Sequence, residues 1–166
     1  HKDGHRIPIE IGLQPIGDGD EITVLVSVVD ITERKNNELR IRLALDASAS
    51  AMIMIDDAGK IVLTNASAEF MFGYEKDELI GRPVEDLIPE RFRRKHSVYR
   101  TSYLNSRERR DMGMGRDLFG LNSDKSEFPI EIGLTPIDGV DGRRVVATIN
   151  DITERKARDD LIKQKN

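Results

Sequence analysis

Two hydrophobic periods alternate along this chain. Ile7, Ile9, Ile11 and Leu13 take every second position, the period of a half-buried strand. Gly17–Asp20 carries turn chemistry and Glu21–Val29 is rich in β-branched residues, so a partner strand is predicted there. A two-stranded hairpin is marginal in water, so this one must pack on a neighbouring module or on a second chain. At Asp30 the period lengthens. Asp30 and Glu33 are spaced as a capping box, and a helix is predicted over residues 31–45. Leu39 and Leu43, and Ile41 and Leu45, form i,i+4 apolar pairs on a helix that is otherwise mostly charged. Such a helix pairs with another helix more readily than it stands alone.

Beyond it, Ala51–Ile55 is an apolar strand, Asp56–Lys60 a turn around Gly59, and Ile61–Thr64 the returning strand. Asn65 as N-cap and Gly73 as C-cap delimit a short helix whose Phe70, Met71 and Tyr74 would face the core. Glu75–Ile80 is predicted as a second short helix closed by Gly81 and Pro83, and Val84–Ile88 as a further turn or two. Glu90–Leu104 is predicted as the longest helix of this part. Its Phe92, His96, Tyr99 and Tyr103 fall on one face. Met112–Leu121 begins with small residues and ends as a strand. Phe128–Ile137 and Val145–Ile152 repeat the opening hairpin, and Asp151 with Glu154 starts a final helix carrying Leu161 and Ile162. Strands at both ends with helices between them define an antiparallel α+β domain, its first and last strands paired centrally and its helices over one face.

The two hairpins share more than a pattern. Pro8–Leu13 and Pro129–Leu134 both read Pro-Ile-Glu-Ile-Gly-Leu, and Asp30–Lys35 and Asp151–Lys156 both read Asp-Ile-Thr-Glu-Arg-Lys. The step from Pro8 to Pro129 equals that from Asp30 to Asp151, 121 residues, so the two stretches align without a gap. One module type therefore appears twice, and the chain enters the first copy near its end. The organisation expected is residues 1–30 as the last strands of a truncated module, 31–45 as a linker helix, 46–152 as a complete module, and 153–166 as the start of a C-terminal signalling helix.

Composition narrows the function. A length of 166 residues accommodates one domain plus a fragment. A net charge of −4 argues against a general electrostatic nucleic-acid binder. The absence of Cys excludes disulfides, thiolate metal sites and cysteine nucleophiles. No apolar run approaches the roughly 18 residues of a membrane span, and no signal peptide is visible. A cytoplasmic setting without membrane contact is expected for this segment. The start at His1 rather than Met points to a piece of a longer protein.

The order of elements and five phrases resemble a PAS domain of bacterial sensor proteins. Ile53-Met54-Ile55-Asp56 with Gly59 resembles the family's opening hairpin. Asn65-Ala-Ser-Ala-Glu-Phe-Met-Phe-Gly-Tyr74 resembles its first helix, and Glu78-Leu-Ile-Gly-Arg-Pro83 the next helix and exit. Glu127-Phe-Pro-Ile-Glu-Ile132 is similar to its penultimate strand, and Asp151-Ile-Thr-Glu-Arg155 to its exit into a signalling helix. The resemblance covers residues 39–156 in full and residues 1–35 as the end of a preceding copy. It implies a PAS fold: a five-stranded antiparallel sheet with short helices on one face, flanked by amphipathic signalling helices. It also implies a sensory role in a signal-transduction protein such as a histidine kinase or a cyclic-di-GMP enzyme, with the signal leaving through Asp151, Thr153 and Arg155, and through Asp30 in the first copy.

Haem is the cofactor with the sharpest support. In haem-binding PAS domains the longer helix supplies the axial histidine, and the resemblance carries that role to His96. It carries a distal methionine to Met114 and a distal arginine to Arg116. Neutral imidazole binds iron, a thioether is a soft sixth ligand, and a guanidinium donates to bound oxygen. Against this, His96 shares a face with Phe92, Tyr99 and Tyr103 and reads equally as a packed histidine. Flavin is disfavoured, since the light-sensing flavin members need a cysteine and redox members often carry a core Trp; this chain has neither. Asn65 reads first as an N-cap and second as a ligand contact, and Met52 with Met54 as core or sheet-face packing. The basic side of Glu90–Leu104 reads as a solvated face, because its aromatics are not interleaved with the basic residues. Catalysis has no support: phosphate-binding loops, nucleophile elbows and metal-spaced histidines are absent, and no carboxylate falls in an apolar context that would tune it as an acid. The partners expected are a second copy of the chain, through the sheet face and flanking helices, and an output domain of the same polypeptide. A ligand-free dimerisation module is the rival reading.

Overall fold

The computed structural model describes residues 2–17, 22–105, 108–112, 117–139 and 141–163. The chain divides into two compact units, His1–Ala44 and Leu45–Asn166.

The first unit is a hairpin followed by most of a helix. β1 (Ile9–Ile16) and β2 (Thr23–Asp30) pair antiparallel, Ile11 opposite Val28 and Leu13 opposite Val26. Every residue of both strands is exposed. α1 (Thr32–Asp46) follows with no buried residue. Of its apolar pairs, Leu39, Ile41 and Leu43 are each more than half exposed, and Leu45 is half-buried.

The second unit is built on one antiparallel sheet. β3 (Ala51–Ile55), β4 (Ile61–Thr64), β5 (Arg110–Met112), β6 (Leu118–Leu121), β7 (Glu127–Gly139) and β8 (Gly142–Asp151) run in the order β4-β3-β8-β7-β5, with β6 also on β7. The first and last strands meet at the centre, Ala51 opposite Ile149 and Ile55 opposite Val145. The sheet has six strands rather than the expected five, because the stretch expected as one strand near Met112–Leu121 forms two. β5 pairs with β7 at Ile132–Leu134 and β6 at Glu127–Ile130.

Strand alternation assigns the two faces. Ala51, Ile53 and Ile55 point inward with Ile130, Val145 and Ile149; Met52 and Met54 point outward and are half-buried. The inner face is covered by α2 (Ala66–Phe72), the 3-10 turn Val84–Leu87 and α3 (Glu90–Leu104), whose Ala68, Phe72, Leu87 and Tyr103 complete the core together with Leu79. Phe72 packs against Phe128 in a tilted pair with ring centroids 5.4 Å apart. α4 (Thr153–Lys163) closes the described chain with no buried residue.

Two local expectations are corrected. Phe70 does not face the core: it is 90% exposed, and Phe72, at 1%, takes that role. Residues 75–80 form turns rather than a helix, because Asp77 sits at φ 61, in the left-handed region that no right-handed helix passes through.

Candidate functional site

Three polar assemblies organise the second unit, and one of them recurs in the first. The first lies where α3 meets the 3-10 turn. His96 Nδ1 is 3.1 Å from Glu85 Oε1, and Arg100 Nε donates to the same oxygen at 3.0 Å. Residues 96 and 100 are one helical turn apart, so both reach one carboxylate. Burial of Glu85 raises its pKa, but the hydrogen bonds from His96 and Arg100 and the Arg100 charge outweigh it, and its carboxyl ends below its ordinary value. The Arg100 guanidinium fills the space beside Gly59, where any Cβ would lie 2.3 Å from its central carbon. The cluster thus ties α3 to the β3–β4 turn.

The second assembly surrounds Asn65, which is 1% exposed. Its Oδ1 accepts from Ala68 N at 3.1 Å, the expected helix cap, and from Met52 N at 2.8 Å. Its Nδ2 donates to Leu45 O at 2.9 Å and to Ser50 O at 3.0 Å. Ala66 N donates to Asp46 Oδ1 and Ser67 Oγ to Ser48 O. One amide therefore joins β3, α2 and the residues where α1 ends. Its two acceptor and two donor positions are all used inside the protein, as a helix cap that also braces β3.

The third assembly is the exit. Asp151 Oδ1 accepts from Thr153 N at 2.8 Å and Thr153 Oγ1 at 2.5 Å. Ile152 N donates to Pro129 O, and Lys156 N to Ile152 O, which starts α4. The capping oxygen is the expected one; its partner is Thr153, which lies ahead of Glu154. Arg155 then reaches back to β7 and binds Glu131 through both guanidinium nitrogens, one at 3.1 Å. Those bonds hold the Glu131 carboxyl below its ordinary value. Lys156 pairs with Asp117 and lies 5.7 Å from the Phe119 ring.

The first unit contains the same arrangement. Asp30 accepts from Thr32 N at 2.9 Å and Thr32 Oγ1 at 2.6 Å, Ile31 N donates to Pro8 O, and Arg34 pairs with Glu10 at 2.7 Å. Arg34–Glu10 and Arg155–Glu131 each span 24 residues. Each joins one repeated phrase to the other, so the phrases recur together because each supplies half of a clasp.

Of the residues singled out by sequence, Asp30, Asp151, Thr153 and Arg155 fall in these clasps. His96 lies on α3 as expected, but its face is not uniform: Tyr103 is buried while Tyr99 is 55% exposed. Met114 and Arg116 lie outside the described residues. Sequence reasoning missed Glu10, Glu131 and Glu85, and also Glu69, a buried carboxylate that accepts from Thr64 Oγ1 at 3.1 Å and Asp77 N at 2.9 Å. The repeated Glu within Pro-Ile-Glu-Ile-Gly-Leu was a signal, since a charge kept on a strand in both copies invites a search for its partner.

For a haem group the donor chemistry fits at one point. A carboxylate on Nδ1 is what orients an imidazole to offer Nε2 to a metal. Among the described residues no group of three or more His, Cys, Asp or Glu could hold a metal ion.

The fold and these motifs define a PAS sensor module. Residues 39–152 match the family model described as the PAS fold, and residues 1–33 match a second model described as a PAS domain. The chain belongs to the PAS family, whose fold senses signals and is not catalytic. It is 30% identical over 135 residues to the sensor protein FixL of Bradyrhizobium diazoefficiens, covering 77% of this chain and 27% of that protein. It is 24% identical over 121 residues to the oxygen sensor protein DosP of Escherichia coli, covering 73% of this chain and 15% of that protein. The chain thus spans about a quarter or less of these curated relatives. Among solved structures, the PAS domain of an HTR-like protein from Haloarcula marismortui superposes with a TM-score of 0.61 at 20% identity, over 72% of this chain and 95% of that one. In the described residues no helix is long and apolar enough to cross a membrane.

Proposed function

We propose that the second unit is the input module of a bacterial signal-transduction protein, a histidine kinase or a cyclic-di-GMP enzyme, and that its signal leaves through the Asp151–Thr153 cap and the Arg155–Glu131 clasp into α4. The carrying observation is that clasp. Arg155 ties the first turn of the output helix to the central strand β7, whose inner face is Ile130 and its neighbours. A change in sheet curvature or core packing moves Glu131, and Arg155 converts the movement into rotation or release of α4. The clasp is solvent-exposed, so it stabilises the fold little and is easily broken. These are the properties of an element with two arrangements close in free energy. An output domain of the same polypeptide reads the helix, and a second copy of the chain pairs with it through the outer sheet face.

In the full-length protein, Arg155→Ala and Glu131→Ala should each shift basal output, read as autophosphorylation or nucleotide cyclisation. The charge exchange of Glu131→Arg with Arg155→Glu should return it toward the starting level. Unchanged output from both single variants, with the fold intact by circular dichroism, would sink this reading.

One observation favours a haem-based version of the sensor, namely the carboxylate of Glu85 on His96 Nδ1. His96 would hold the iron through Nε2 with Glu85 orienting it, and the group would supply a gas- and redox-sensitive centre. Reconstitution with haem should then give a Soret band that His96→Ala abolishes. No band in the unmodified protein removes the haem version and leaves the exit mechanism standing.

A further inference from the structure

We infer that the apolar face of the β1–β2 ribbon is a docking surface for an upstream segment of the same polypeptide, a strand-strand-helix assembly that completes a PAS fold on it. The inference rests on reading the chain as two PAS modules in tandem, and it names what the first one lacks.

The register of β1 on β2 places Ile9, Ile11, Leu13, Val24, Val26 and Val28 on one face. A step of 121 residues converts them into Ile130, Ile132, Leu134, Val145, Ala147 and Ile149, which β7 and β8 present in the same register, Ile132 opposite Ile149 and Leu134 opposite Ala147. In the second unit those positions belong to the core or pack on it. Ile130, Val145 and Ile149 are 5%, 2% and 5% exposed there, whereas Ile9, Val24 and Val28 are 45%, 51% and 60% exposed. The side chains match in pattern and differ only in being covered.

What covers the second face defines the occupant of the first. β3 pairs along the edge of β8, placing Ala51, Ile53 and Ile55 beside Ile149, Ala147 and Val145. By the same step, a strand should pair with β2 beside Val28, Val26 and Val24, offering small and apolar residues inward at alternate positions. Helices equivalent to α2 and α3 should then lie over Ile9, Ile11 and Leu13. Residues 1–33 match a model described as a PAS domain, which agrees with that occupant. The other face of the ribbon mixes Glu10, Gln14 and Ser27 with Leu25 and Val29, which suits a sheet exterior better than a core.

Amide hydrogen exchange tests the inference in two chains: these 166 residues, and the same chain extended upstream by about 100 residues, the size of one module. In the extended chain, Thr23–Asp30 should exchange about 100-fold more slowly than in the shorter one, as a core strand does relative to a fraying one. Val26→Asp should abolish that protection while leaving Ala51–Ile55 protected. No gain in the extended chain overturns the inference. So does protection already present in the shorter chain, whether it grows with concentration, which means a second copy, or does not, which means coverage from within the chain. The exit mechanism is tested on output through Glu131 and Arg155, so either idea can fail alone.

Discussion

Asn65 joins more of the second unit than any residue picked out by its chemistry. Its one amide serves Ala68, Met52, Leu45 and Ser50 while 1% exposed. Asn65→Ala strands two buried donors and two acceptors, and about 2–4 kcal/mol of unfolding free energy should be lost, read by urea denaturation. Asn65→Asp keeps both accepting contacts and should retain part of it. Glu85 makes a prediction in pH. Its folded pKa lies below its ordinary value of 4.5, so its stabilising contribution is complete above that value and drains away as pH falls through the lower folded one. The stability difference between the protein and Glu85→Gln should therefore shrink between about pH 6 and about pH 3. Denaturation midpoints along that series decide it, and a constant difference would count against the ionised cluster. The cap at Asn65 was legible because a cap is a local signature. Its links to Leu45 and Met52 were not, since they join residues distant in sequence. Phe70 was misplaced for a related reason. Ala68, Phe70, Met71 and Phe72 put apolar residues nearly all round a seven-residue helix, and only the tertiary partner Phe128 selects Phe72.

Among the elements, α2 shows how a short helix is held at both ends. Gly73 ends it at φ 71, and Ser123 binds its last turn, with N to Phe72 O at 2.9 Å and Oγ to Gly73 O at 2.6 Å. A Cβ on Gly73 would fall 2.3 Å from Asn122 Oδ1, whereas one on Gly81, at φ 83, meets nothing within 4 Å. Gly81→Ala should cost about 1 kcal/mol, the backbone penalty alone. Gly73→Ala should cost more, because the Asn122 and Ser123 side chains must also move, and thermal unfolding of the pair checks the order. Element type and order were plain in the hydrophobic periods. The turns at residues 75–80 were not, since Asp77 takes a left-handed backbone with its amide held by Glu69, a partner eight residues away.

At the scale of the whole molecule, the half-buried outer face of the sheet, with Met52 and Met54 beside Thr148 and Val146, is the surface proposed for pairing two copies. Sedimentation should show a dimer that Met54→Glu shifts toward monomer while circular dichroism is unchanged; a dimer untouched by that variant moves the contact elsewhere. The fold was legible as a whole because the repeated phrases make their own comparison, each checking the other. The cofactor was not, because a ligand is chosen by the shape of a core, and His96 serves a salt-bridged cluster as readily as an iron.

The two clasps, alike in residues and both spanning 24 positions, have a consequence for how such proteins change length. A recombination joining Asp30 directly to Ile152 removes one full period and still leaves Glu10 facing Arg155 across a restored junction. The exit helix would leave its hairpin at the same angular phase as before. Such a splice would leave the pairing geometry intact, so the clasp is a joint that carries its own spacing through a change in length.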